Sequence, residues 1–182
     1  FCAPNQLTFF IPKVIKEIMQ VLKDPHVKVQ ETAVSVLKDI ASAIKNPEIV
    51  DVSSILIEAI SNPYENSQNA LSALLETEFK HYLDPPSIAL IIPIIDYNLK
   101  TQNDTLKRQA SHIIGSLQNI ISNTNDLVQY KDIIVPDLKG ALFDSNPDCR
   151  NTIAKSIGAL TKSLGAEYLE DMIKFLVSFL EK

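Results

Sequence analysis

The 182 residues are 46% hydrophobic with 4 Gly, 10 Pro and no Trp, ample for a continuous core and too poor in glycine for a loop-rich or all-β chain. A formal net charge of −5 excludes a polycation that coats nucleic acid along its whole length, while leaving room for a local basic stripe. Cys2 and Cys149 stand far apart with no pairing or metal spacing, which suits a reducing compartment better than a disulfide scaffold.

Phe10, Val14, Ile15, Ile18, Met19 and Leu22 recur at helical spacing and predict a first helix from about Thr8 to Leu22, with Pro12 tolerable near its start. After an Asp24-Pro25 turn, a second helix is predicted from about Val27 to Ile44, with Ala33, Leu37, Ile40 and Ile44 on its apolar stripe. Asn46-Pro47 ends the pair. The next pair reads as Glu48 to Ile60, a turn at Asn62-Pro63-Tyr64, then Ser67 to Glu76 carrying Ala70, Leu71, Leu74 and Leu75. A third opens at Asp84-Pro85-Pro86, with Asp84 as N-cap and proline at the first helical position, and runs through Leu99. It turns at Thr101-Gln102-Asn103-Asp104 and resumes from Leu106 to Ile121, with Ala110, Ile113, Ile114, Leu117 and Ile121 on the stripe. The fourth runs from about Leu127 to Phe143, turns at Asp144-Ser145-Asn146-Pro147 and returns along Ile153, Ile157, Leu160 and Leu164. A half-pair follows from Glu167 to Leu180.

The run Ile88 to Ile95 is far shorter than the roughly 20 apolar residues that a bilayer span needs, and Asp84 and Asp96 flank it. Its β-branched residues favour a strand locally. Its place in the repeat makes it a buried helix.

Turn signals at Leu22-Lys23-Asp24-Pro25, Ile60-Ser61-Asn62-Pro63, Leu99-Lys100-Thr101-Gln102 and Leu142-Phe143-Asp144-Ser145 recur roughly every forty residues, and Ala33, Ala70, Ala110 and Ala154 follow them. Such a period marks a helical solenoid. Pro12, Pro93 and Pro136 lie inside first helices, where proline bends the axis. Bent first helices point to HEAT repeats rather than to ankyrin or tetratricopeptide units. The fold class is therefore all-α, a HEAT-repeat α-solenoid of about four and a half antiparallel helix pairs. Residues 1–182 form a single array with pairs at about 8–45, 48–78, 84–122 and 127–164 and a half-pair at 167–180. Gly115 and Gly158 follow the stripe alanines, where small residues let neighbouring helices approach closely. The start at Phe1 without a methionine, and the end at Leu180-Glu181-Lys182 where another turn is due, are expected of a piece of a longer protein.

His26, His81 and His112 fall in separate pairs without zinc-ligand spacing, and no glycine-rich phosphate loop precedes a helix. No catalytic residue, metal or cofactor is expected. The best lead for binding is a set of cations early in successive second helices: Lys28, Lys107, Arg108, Arg150 and Lys155. Aligned, they form a ladder able to grip phosphate or an acidic protein surface. Asp24, Asp104 and Asp144 precede them at distances suited to turn–helix ion pairs, so a structural role fits the same residues, Arg150 above all. The loop Phe79-Lys80-His81-Tyr82-Leu83-Asp84 offers aromatics either to a partner or to the core between repeats, with packing the favoured role of Phe79 and Tyr82.

Taken together, several segments carry a family resemblance. They are Cys2-Ala3-Pro4-x-Gln6-Leu7, His26-Val27-Lys28-Val29-Gln30, Lys45-Asn46-Pro47-Glu48-Ile49 and Pro86 to Ile94, followed by Ala110-x-x-Ile113-Ile114-Gly115, Asp144-x-x-Pro147-x-x-Arg150 and Ala154 to Ala159. In this order and spacing the chain resembles the general-control translational activators, in the region related to the HEAT domain of elongation factor 3. The resemblance implies a cytoplasmic, non-catalytic scaffold that rides on translating or stalled ribosomes. Its implied partners are ribosomal proteins or rRNA, an ABC-type ATPase and, through other regions of the full protein, the kinase that phosphorylates initiation factor 2. No membrane and no small-molecule substrate are implied. Two alternatives share the repeat: the HEAT domain of an elongation-factor-3-like ATPase, and a transport-receptor or phosphatase-type scaffold.

Overall fold

The computed structural model describes residues 4–180, with side chains described for 10–161 and 164–178. Cys2 and residues 181–182 lie outside the described residues. Ten α-helices follow one another: α1 (Pro4–Val21), α2 (Val27–Ser42), α3 (Pro47–Ser61), α4 (Pro63–Glu76), α5 (Pro85–Leu99), α6 (Asp104–Leu117), α7 (Asn125–Val128), α8 (Lys131–Ala141), α9 (Pro147–Leu164) and α10 (Ala166–Leu180). The one strand-like contact among the described residues is an isolated parallel bridge between Leu83 and Ile121. The architecture is an all-α HEAT-repeat solenoid of antiparallel helix pairs.

Helix starts follow the local chemistry. Asn46, Asn103 and Asn146 sit extended before α3, α6 and α9, and each side-chain oxygen accepts from backbone N–H groups of the first turn. Asp84 does the same for α5, accepting from Ser87 N. Proline occupies the first helical position of α3, α4, α5 and α9, where no backbone donor is needed. For that reason α4 begins at Pro63, and Asn62 alone separates it from α3 instead of the longer turn expected through Tyr64. α6 stops at Leu117, short of Ile121, which stays buried beyond the helix by bridging to Leu83. The single helix expected from Leu127 to Phe143 is two, α7 and α8, broken where Tyr130 turns its ring into the core.

The core is one cluster running through every pair. Ala33, Ala70 and Ala110 lie in it as the stripe requires. Ala154 does not: it is exposed, and Ile153 is buried in its place. Gly115 and Gly158 also part company. A Cβ on Gly115 would come within 2.9 Å of the Ser156 Cα, so α6 and α9 touch backbone to backbone there, while Gly158 has open space around it. Ser156 Oγ donates to the Ser111 carbonyl at 2.5 Å across the same seam.

Pairs two to four stack in order through α3–α5 and α5–α8 in one layer and α4–α6 and α6–α9 in the other. Pair one departs from strict succession. α1 lies against α5, and α2 rests on α1, α3 and α5 with no comparable packing along α4. The cause is α5 itself, which is buried from Ile88 through Ile95 and so needs cover all round. At the other end α10 seats Tyr168 and Met172 in the core, and Phe175 meets Phe143 edge-on at 5.9 Å.

Candidate functional site

The cations singled out in the sequence divide into two groups. Lys107 is 8% exposed, and its ammonium is paired with the Asp144 carboxylate of the next pair. Arg150 bends back over its own turn, with Nη1 donating to the carbonyls of Asp144 at 2.8 Å and Ser145 at 2.9 Å. Around them, Asn146 N donates to Asp144 Oδ1, Asn146 Nδ2 to Asp104 Oδ2 at 2.7 Å, and the buried Cys149 thiol to the Asp104 carbonyl. Hydrogen bonding from Lys107 holds the Asp144 carboxyl below its ordinary value. Lys107, with Asn146 and Cys149, therefore fastens the turn between α8 and α9 to the start of α6, and Arg150 braces that turn from within α9. The other cations face outward. Lys28 and Lys155 are exposed, and Arg108 is half-buried with a long 3.7 Å contact to the exposed Asp148.

The aspartate ladder expected along the whole stack exists between pairs three and four alone. Asp24 turns instead onto its own His26, accepting from its backbone N at 2.8 Å, while Gln30 donates to the Asp24 carbonyl as Arg150 does to that of Asp144. Asp104, Asp144 and Cys149 come within 4.8 Å of one another, the reach of a metal site. The Lys107 ammonium already supplies the positive charge there, and burial pushes the Cys149 thiol up, against metal ligation.

The loop before α5 is tied down on two sides. Asn46 Nδ2 donates to the carbonyls of His81 and Tyr82, Lys45 N donates to Asp84 Oδ2, and Leu83 N donates to the Ile120 carbonyl at 2.7 Å. His81 Nδ1 lies 2.7 Å from Glu48 and lowers the Glu48 carboxyl. Phe79 packs against the core as expected, but Tyr82 is 67% exposed, and Leu83 fills the interior position instead.

Two features carried no sequence signal. Lys100 Nζ stands 2.6 Å from Asp96 and 3.3 Å from Asp137, bridging α5 to α8. Burial, then the neighbouring Asp96, pushes the Asp137 carboxyl up to about 7. A spacing of 41 residues between the two aspartates has no local periodicity to reveal it. The second is a groove of about 830 Å³ between α2 and α3, continuous through Val34, Lys38 and Ser61 with one of about 410 Å³ toward the start of α2. No helix among the described residues is long and apolar enough to cross a membrane.

A family model described as elongation factor 3/GNC1 HEAT repeat matches residues 66–171. The stalled ribosome sensors GCN1 of Mus musculus and Homo sapiens are each 36% identical over 180 residues, covering 99% of this chain and 7% of theirs. The eIF-2-alpha kinase activator GCN1 of Saccharomyces cerevisiae is 36% identical over 177 residues, covering 97% of this chain and 7% of its own. The chain thus spans about 7% of the length of these curated relatives. With helix pairs, N-caps and inter-repeat contacts all in place, the chain belongs to the elongation factor 3/GNC1 HEAT-repeat family.

Proposed function

We propose that this array is a non-catalytic segment of a scaffold that associates with translating or stalled ribosomes and helps activate the kinase that phosphorylates initiation factor 2. The observation that carries the reading is 36% identity along 99% of the chain to relatives named as stalled ribosome sensors, with the same identity to one named as an eIF-2-alpha kinase activator. In this reading residues 1–182 are a single array within a longer cytoplasmic protein, whose other regions reach the kinase, and an ABC-type ATPase is a further partner. The outward cations Lys28, Arg108 and Lys155 are its contacts to ribosomal phosphate or acidic protein, whereas Lys107 and Arg150 serve the fold. What supports the division is where the side chains go: Lys28 and Lys155 stand exposed and Arg108 has a long 3.7 Å contact, whereas Lys107 is buried in a charge pair and Arg150 is turned onto the carbonyls of its own turn.

The test uses the full-length protein carrying Arg108→Glu and Lys155→Glu. Ribosome co-sedimentation is expected to fall several-fold, with the salt dependence of binding shallower by about one log unit per cation lost. Thermal stability is expected to stay unchanged. Unaltered co-sedimentation would reject these contacts. Association indifferent to drugs that collide ribosomes would reject the functional reading itself.

A further inference from the structure

Two first helices meet at a charge imbalance. Asp96 of α5 and Asp137 of α8 converge on a single lysine, with side chains 13% and 11% exposed. Lys100 donates to Asp96 at 2.6 Å and approaches Asp137 Oδ2 at 3.3 Å without completing a hydrogen bond, so that oxygen is buried with no donor of its own. Two carboxylates against one ammonium leave a negative charge in a seam that is largely out of water. The neighbouring charges are otherwise engaged. Lys107 shares the cleft of about 440 Å³ beside Asp137 but is paired with Asp144, α9 contributes no charged side chain to that cleft, and Lys139 of α8 lies over the Phe175 ring at 4.9 Å. Both helices can also give way here. Pro136 removes a backbone bond of α8 immediately before Asp137, and Pro93 removes one of α5 a turn before Asp96.

From these contacts we infer that the seam between α5 and α8 is a proton-operated joint, in which one proton held between Asp96 and Asp137 clasps pairs three and four together and its loss loosens them. The proton turns the donorless Asp137 oxygen into a hydroxyl that donates to Asp96, which lies within hydrogen-bonding reach. Without it, the two carboxylates repel across the seam, and the one ammonium hydrogen-bonds Asp96 alone. The cleft beside Asp137 lets the proton exchange with solvent. Burial, then the neighbouring Asp96, pushes the Asp137 carboxyl up to about 7, which sets the joint to work near neutrality, tight below and loose above. The inference is independent of the ribosome reading, since it uses none of the outward cations Lys28, Arg108 and Lys155.

Hydrogen–deuterium exchange of the intact protein, corrected for the intrinsic pH dependence of amide exchange, tests the joint. Protection of α8 amides is expected to fall about tenfold across one unit either side of pH 7, while α2 and α3 hold constant. Asp137→Asn and Asp96→Asn each supply an amide donor that no pH removes, so either variant should hold α8 in its protected state throughout. Lys100→Gln should move the step to higher pH, because two carboxylates without the ammonium hold the proton more tightly. Circular dichroism verifies that each variant is folded. Protection of α8 that does not change with pH overturns the inference, as does a step that survives both aspartate substitutions. So does an equal fall in every helix, since the proton then acts on global stability and not on the joint, or a step that Lys100→Gln leaves in place or moves to lower pH.

Discussion

Lys107→Met tests whether the turn between α8 and α9 is held by a buried charge pair or merely decorated by one. The substitution keeps most of the side-chain volume and removes the ammonium. Lys107 and Asp144 side chains are 10% and 6% exposed, so the carboxylate left behind stays out of water with the Asn146 N–H as its direct donor. Removing one partner of a buried pair costs about 3–5 kcal/mol. The surviving Asn146 hydrogen bond and the nearby Arg150 charge place the expected loss near the lower end, about 3 kcal/mol. For a chain of this size that lowers the melting temperature by about 6–12 °C. Adding Asp144→Asn removes the orphaned charge and is expected to recover about 2 kcal/mol, a coupling that a double-mutant cycle reads directly. The pH dependence carries the same signature. Asp144 is held below its ordinary value in the folded state, so the unfolded chain binds more protons and stability rises with pH through the acid range. Lys107→Met should flatten that rise. Urea titrations at pH 7 and across the acid range supply both measurements, and hydrogen exchange should place the weakening at α6 and α9. A loss below about 0.5 kcal/mol, with no recovery in the double variant, would make the pair a surface pair and refute the reasoning.

The two glycines at similar repeat positions should respond with opposite signs. Gly115→Ala drives a Cβ against the Ser156 backbone and is expected to cost about 1–3 kcal/mol by prising α6 from α9, whereas Gly158→Ala, with open space, should gain about 1 kcal/mol of helix stability; thermal denaturation of both decides. Asp137 binds a proton in the folded state at pH values where the unfolded chain has lost it, so its contribution declines as pH rises from about 4 toward 7. Asp137→Asn removes that penalty and leaves Lys100 paired to Asp96. It is expected to stabilise by about 1–2 kcal/mol at pH 8 after allowance for solvent screening, and to do little at pH 4, as chemical denaturation at the two values would show.

Much of this fold is legible because helix pairs announce themselves locally. Asp84-Pro85 and Asn46-Pro47 mark starts by chemistry that needs no tertiary knowledge, and the apolar run of α5 reads as buried whatever surrounds it. The Ala154 error shows where residue identity misleads. Counted from the helix start, Ala33 and Ala110 each stand six residues in, and Ile153, not Ala154, stands six residues into α9. Ala70 stands seven residues into α4, as Ala154 does in α9, and is buried all the same, so distance from the helix start does not by itself settle which face meets the core. The cations were legible as a group, with Arg150 already the strongest structural case, but the burial of Lys107 was not, because an i, i+37 pair such as Lys107–Asp144 depends on how two repeats meet. The same holds for Asp96 and Asp137, and for Tyr82 and Leu83, where one step along a loop exchanges inside for outside.

Periodicity reports that a face is buried and is silent about what covers it. α5 illustrates the consequence. Regular stacking gives a first helix its own partner and a neighbour on either side; a helix apolar on every side has surface left over, and α1 covers it. Seating α1 on α5 carries α2 with it, away from α4, so α2 and α4 do not close on each other as α6 and α9 do at Gly115 and Ser156, and a groove stays open between Val34 of α2 and Ser54 of α3. Serine rather than leucine on the α3 wall, at Ser53 and Ser54, keeps the opening compatible with water. The surplus apolar surface of one helix thus accounts both for the irregular first pair and for the groove beside it, and both should vanish together in a chain whose α5 carries polar residues on the side that faces α1.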